Sequence, residues 1–205
     1  IYIQEHARVW FIKAFFAPFM FGLLIDYLGL VFSFDAKNGV SFLAGYNHLL
    51  NVFYSFDVLY GFLGYFLTLR LTDTHIQSTE PKLLGWLACL ACYHPFYQIF
   101  GIGLLKYQGT TTWDQWFYAQ PVLFYTYGVL IIVLSAIYGL ATVAFGYRMS
   151  NLTYRGIITD GPYRFTKHPA YLAKVSSWWL ISLPFLSTEG SGVALAHTLS
   201  LSLIH

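Results

Sequence analysis

Long apolar stretches, broken by short polar ones, set the pattern of this chain. The first runs from about Val9 to Phe32, with Pro18 inside it, and ends at the polar turn SFDAKNG, 33–39. A second, from about Ser41 to Leu69, is longer than one bilayer crossing needs, so its start lies in the interface or the segment tilts. The polar loop RLTDTHIQSTEPK, 70–82, places Pro81 to open a third segment, about Lys82 to Leu105. KYQGTTTWDQW, 106–116, is a loop whose aromatics suit a membrane interface. The fourth segment, about Gln120 to Tyr147, is the cleanest. A basic loop, 148–168, separates it from a fifth, about Pro169 to Leu186, which Pro184 interrupts. STEGSG, 187–192, makes a turn, and VALAHTLSLSLIH starts a return helix.

About 20 predominantly apolar residues cross a bilayer, and a crossing segment must satisfy its backbone internally, as a helix does. The pattern therefore predicts an all-α polytopic integral membrane protein, with about five complete transmembrane helices plus a partial sixth. It divides into a four-helix transmembrane region, 1–147, and a loop with a C-terminal helical hairpin, 148–205. The chain opens on Ile1 and closes on His205 inside an apolar run. Both ends are expected to be cut from a longer protein.

Composition strengthens the membrane reading. Hydrophobic residues make up 57%, aromatics 20% and charged residues 10%, with a mean hydropathy of +0.56. Soluble domains carry about 25% charged residues, so this chain cannot cover itself with a polar surface. A net charge of +2 is too small to point to nucleic acid. Its distribution says more. If the 148–168 loop is cytoplasmic, alternation puts the N-terminus and the 70–82 loop on the same side. That side then holds nine of the eleven Lys and Arg residues, against Lys37 and Lys106 on the other. The positive-inside rule orients the chain accordingly, N-terminus and basic loop inward. The glycosylation sequon NLT at Asn151 then lies where no glycan is added.

Charges inside spans need a reason, since each costs about 2.5–3.5 kcal/mol at the helix centre. Lys13 snorkels to the cytoplasmic surface, and Asp26 lies close to the opposite one. Asp57 and His94 fall near mid-depth, either as a proton or ion relay or as a buried polar pair that fixes helix register. Asn47, His48 and Asn51 share one face of the second segment. Cys89 and Cys92 form a CxxC within an apolar stretch, where two small residues at helical spacing pack against a neighbouring helix.

The densest chemistry is GPYRFTKHPAYLAK, 161–174. Five of the eleven basic residues, Arg148, Arg155, Arg164, Lys167 and Lys174, fall between 148 and 174. Gly161-Pro162 predicts a tight turn. Pro169 predicts the first position of a helix, with His168 at its N-cap. A helix N-terminus flanked by Arg164 and Lys167 suits an anion, and Tyr163 and Tyr171 add aromatic faces. S-adenosylmethionine and NADPH both carry such an anionic end beside a flat ring. A stop-transfer anchor is the plainer reading of the same residues.

In order and spacing this string resembles the signature of the isoprenylcysteine carboxyl methyltransferases and related phospholipid methyltransferases. The likeness covers about 148–187. It implies an S-adenosylmethionine-dependent membrane methyltransferase whose acceptor is lipophilic, either a small molecule or a lipidated substrate. By position it assigns cofactor contacts to Arg155, Gly156, Ile157, Ile158, Tyr163, His168, Pro169, Ala170 and Tyr171. A second HPxY, His94 to Tyr97, has no glycine turn or basic flank and is expected mid-helix, as core packing. Lys167 stands where the family has arginine, and Ala173-Lys174 where glycine and an apolar or aromatic residue are common. The Arg and Glu that the family uses after the following hairpin have no counterpart before His205, and are expected beyond it. Two other functions fit parts of the pattern. One is an NADPH-dependent reductase of the steroid-reductase type; the other is a transporter or accessory membrane protein using Asp57 and His94.

Overall fold

A computed structural model describes residues 2–35, 40–96, 111–183 and 190–203. It is 72% helical. The described helices are α1 (Tyr2–Phe32), α2 (Phe42–Phe66), α3 (Leu83–Ala91), α4 (Trp113–Phe117), α5 (Pro121–Phe145), α6 (Pro169–Ser182) and α7 (Ser191–Leu203). Two short strands, β1 (Ser78–Thr79) and β2 (Thr153–Tyr154), pair antiparallel with Ser78 opposite Tyr154. Single 3-10 turns occur at Gly146–Arg148 and Gly161–Arg164.

Three helices are long and apolar enough to cross a membrane: Ile3–Phe32, Phe42–Phe66 and Pro121–Arg148. The described residues thus carry three helices of crossing length, where the pattern of apolar runs predicts five and part of a sixth. Proline accounts for part of the difference. α3 ends at Ala91 and the chain turns through Cys92–Pro95. Pro95 lacks a backbone N–H, and its ring would clash with the carbonyl four residues earlier if the helix continued. The remainder of that segment, 97–105, lies outside the described residues. α6, with 14 residues, spans about 21 Å, short of a hydrocarbon core of about 30 Å. Pro184 and the turn after it also lie outside the described residues.

The second HPxY is corrected as well. His94 and Pro95 occupy an exposed turn after α3, not the middle of a packed helix; Tyr97 lies outside the described residues. Cys89, on α3, and Cys92, just past it, are free thiols.

The chain separates into two compact units, Ile1–Trp86 with Gly139–Pro169, and Leu87–Tyr138 with Ala170–His205. In the first, α1 and α2 pack along one another through aromatic side chains. Phe16 stacks on Tyr65 at 5.6 Å, Phe21 meets Phe62 at 5.4 Å, and Tyr27 meets Tyr54 at 5.7 Å. As numbers rise along α1 they fall along α2, so the pair is an antiparallel hairpin. Ser41 starts α2 by accepting the Ala44 N–H at 3.2 Å. At the other end, Lys13 Nζ donates to Thr68 Oγ1 at 2.6 Å, just past the last turn of α2. The first turns of α1, 2–12, therefore run on beyond α2.

That extension is where the loops gather. The Glu5 carboxylate accepts the Thr79 backbone N–H at 2.6 Å and its hydroxyl at 2.9 Å, docking β1 onto α1. Replacing Glu5 by alanine removes a charged acceptor from both, at a cost of about 1–2 kcal/mol. The expected result is a lower unfolding temperature in detergent and faster proteolysis within 70–82. Unchanged proteolysis would show that the two-strand pairing holds the loop without Glu5.

In the second unit, α4 lies on the start of α5. Buried Trp113 meets Phe124 at 5.1 Å, and Phe117 meets Tyr127 at 4.5 Å. Lys174 of α6 lies over the rings of Tyr138, at 5.1 Å, and Trp178, at 4.9 Å.

Candidate functional site

The basic segment 146–169 belongs to the first unit, and its backbone is set by what it lies against. Arg148 pairs with the Asp73 carboxylate and also donates from Nε to the Asp73 carbonyl at 3.2 Å. The Asn151 N–H donates to the Tyr65 hydroxyl at 2.9 Å. β2 then pairs with β1, extended on either side by Gln77 N–H to Tyr154 O and Glu80 N–H to Leu152 O, both at 2.9 Å. The N-terminal turns of α1, the 67–80 loop and the 147–155 segment thus assemble at one end of the unit.

Arg155 joins these pieces. Only 3% of it is exposed. Its Nη1 donates to the carbonyls of Gly64 at 2.6 Å, Tyr147 at 3.0 Å and Thr74 at 3.3 Å. Gly64 lies in the last turn of α2, where carbonyls lack partners within the helix, and Tyr147 in the 3-10 turn after α5. A cation there also meets the negative end of the helix dipole. Burial pushes the guanidinium down to about 10, so it stays charged at neutral pH. The resemblance names Arg155 as a cofactor contact; in the fold its side chain ties three backbone segments together. Gly64 is the other half of this junction. A Cβ there would lie 2.3 Å from the Met149 carbonyl oxygen.

Beyond Arg155 the chain opens outward. Gly156 and Ile158 are half-buried, and Ile157 is 76% exposed. Residues 155–159 form no regular element. Gly161 has φ +57, a left-handed conformation that a Cβ would strain, and Gly161–Arg164 makes the expected tight turn. This turn folds back on the end of α5. Tyr163 meets Phe145 at 5.6 Å, and a Cβ on Gly161 would touch the Ala144 methyl at 3.4 Å.

Arg164, Phe165, Lys167 and His168 are all exposed. Pro169, buried, is the first residue of α6, where a missing N–H costs nothing. Ala170, half-buried, and Tyr171, exposed, complete that first turn and belong to the second unit.

The five-residue basic cluster is therefore not one surface. Arg148 is paired, Arg155 is buried, and Lys174 lies over aromatic rings. Arg164 and Lys167 are the members turned to the outside, and no ion pair engages either among the described residues. Sequence reasoning missed Asp73, Gly64 and Glu5, which carry no motif and act on residues far away in the chain. No group of His, Cys, Asp and Glu among the described residues could hold a metal ion. No family model, curated protein or solved structure matches the chain.

Proposed function

We propose that this protein is an S-adenosylmethionine-dependent membrane methyltransferase acting on a lipophilic acceptor, such as an isoprenylcysteine carboxylate or another lipid-borne group. The observation that carries the reading is the geometry of 161–169. A glycine turn folds onto the end of a membrane-length helix, exposes Arg164, Lys167 and His168, and hands over to a helix opened by Pro169. The tight turn at Gly161-Pro162 and the helix start at Pro169, both expected from GPYR…KHPAY, support the reading.

The residues present fit the cofactor's chemistry. Its carboxylate suits the unpaired cations Arg164 and Lys167, with His168 beside them. Its adenine suits apolar faces such as Ile157 and Tyr163. Gly156, Ile158, Pro169, Ala170 and Tyr171 remain contacts assigned by position, and the contribution of Arg155 is to hold the segment's shape. When bound, the cofactor supplies an electrophilic methyl group. The protein's part is to orient acceptor and cofactor and to exclude water. A carboxylate acceptor needs no proton removed. The charge count, together with the gathering of the first turns of α1 and the 147–155 segment at one end of the unit, supports a cytoplasmic N-terminus and 148–168 loop, with the cofactor entering from water and the acceptor from lipid. A bacterial inner membrane and the endoplasmic reticulum give the same charge bias.

Calorimetric titration of S-adenosylhomocysteine into purified protein tests the reading. Saturable binding is expected, weakened at least tenfold (about 1.4 kcal/mol) by His168→Ala or by Arg164→Gln with Lys167→Gln, at an unchanged unfolding temperature. Binding of NADPH instead would assign the site to a reductase. Silence from both in folded protein would overturn the proposal and turn attention to Asp57 and His94.

A further inference from the structure

The turn that closes on α5 leaves its own tip pointing away from the protein. Phe165 is 90% exposed, the largest exposure of any aromatic side chain among the described residues. Arg164 precedes it and Lys167 follows two residues later, both exposed and without a described acidic partner. A bare phenylalanine between two cations is poorly suited to water.

The depth of this tip is fixed by its neighbours. Gly161 and Tyr163 lie against Ala144 and Phe145, the last residues of α5. α5 has 25 residues, about 37 Å, which exceeds a hydrocarbon core of about 30 Å and so carries its ends into the headgroup layers. Residues touching the final turn of such a helix stand at headgroup level. There an aromatic ring reaches the acyl boundary while flanking cations meet lipid phosphates.

We propose that the 161–168 loop is itself a membrane-docking element, with Phe165 inserted into the interface of an anionic lipid surface and Arg164 and Lys167 on its phosphates. This rests on α5 being a spanning helix and not on the methyl-transfer reading, in which Arg164 and Lys167 would leave lipid phosphate for the cofactor's carboxylate. Exposed Asp160 opposes the two cations at the base of the turn, so the net attraction is modest and the inserted ring has to add to it. Docking would hold His168 and Pro169 at the level where lipid-borne molecules arrive.

A nitroxide probe decides. The label goes on Phe165→Cys in a Cys89→Ser, Cys92→Ser background, reconstituted into vesicles of equimolar phosphatidylcholine and phosphatidylglycerol. A second label, on Val129→Cys, reports whether α5 lies in lipid; Val129 is an exposed position on that helix. Docking requires that the probe at 165 collide more with oxygen than with a water-soluble nickel chelate. It also requires this preference to shrink in pure phosphatidylcholine, and with Arg164→Gln and Lys167→Gln together. Preference for the nickel chelate at 165, with 129 in lipid, overturns the docking while leaving the span intact. Protection from both reagents would mean the tip packs on protein, which also overturns it. Nickel access at 129 would remove the spanning helix and the proposal with it.

Discussion

Gly64→Ala should destabilise the fold by about 2–4 kcal/mol, although alanine is the better helix former. In a helix interior the exchange ordinarily adds up to about 1 kcal/mol of stability. Here the new methyl would meet the Met149 carbonyl oxygen at 2.3 Å and the Tyr147 carbonyl oxygen at 3.2 Å. Both are backbone atoms, so no side-chain rotation relieves the clash. Either α2 or the 147–149 segment must move, and with it the carbonyls that Arg155 holds. Gly22→Ala is the matched control. Gly22 lies within α1 and a Cβ there meets nothing within 4 Å, so this variant should be neutral or slightly stabilised. Thermal unfolding of both in one detergent measures the difference. Equal unfolding temperatures would mean the two segments approach less closely than described.

Arg155→Met should cost about 3 kcal/mol, from loss of a charged donor to three carbonyls and of a cation at the end of α2. The loss is smaller than a sum of hydrogen bonds suggests, because methionine escapes the desolvation that burial imposes on the guanidinium. Arg155→Lys keeps the charge on a shorter side chain that reaches fewer of the three carbonyls, so it should fall between. The accompanying sign is chosen by structure rather than ligand: unfolding temperature drops without any ligand, and protease sites appear in both 67–80 and 147–160. If Arg155→Met unfolds normally but loses S-adenosylhomocysteine binding, Arg155 is a cofactor contact after all and the clamp is wrong. The pH dependence follows from the lowered pKa. Below about 10 the group is charged in both folded and unfolded chains and adds no slope. From about 10 up to the ordinary arginine range, the unfolded chain alone keeps the proton, so this group makes stability rise with pH there.

Both predictions concern residues without a sequence signal that foretells their role. Arg155 reads as one more member of a basic run. Only its position against Gly64, 91 residues away in sequence, makes it a tie between segments. Asp73 likewise reads as a loop acid, yet it neutralises Arg148 and so removes one of five cations from any anion site. The turn residues were far more legible. Gly161 was expected in a tight turn and adopts φ +57, and Pro169 was expected at the start of a helix and opens α6. Glycine and proline announce themselves because their constraint lies in their own backbone. The long spans were legible for a similar reason, since length and apolarity are properties of one segment. The weaker segments were not: the run from Lys82 contains its own breaker at Pro95, and there apolar composition alone overstated the helix.

By itself, then, the sequence determined that the chain is helical, that stretches of it are long and apolar enough to cross a membrane, and where its backbone must turn. Each follows from a segment's own preference for lipid or water and from the allowed angles of a single residue. The tertiary structure alone decided which cations remain outside, which glycine admits a neighbouring backbone, and which loops gather at the end of the α1–α2 hairpin. Those outcomes depend on hydrogen bonds and contacts between positions 55 to 91 residues apart, and no local pattern encodes who will meet whom across that distance.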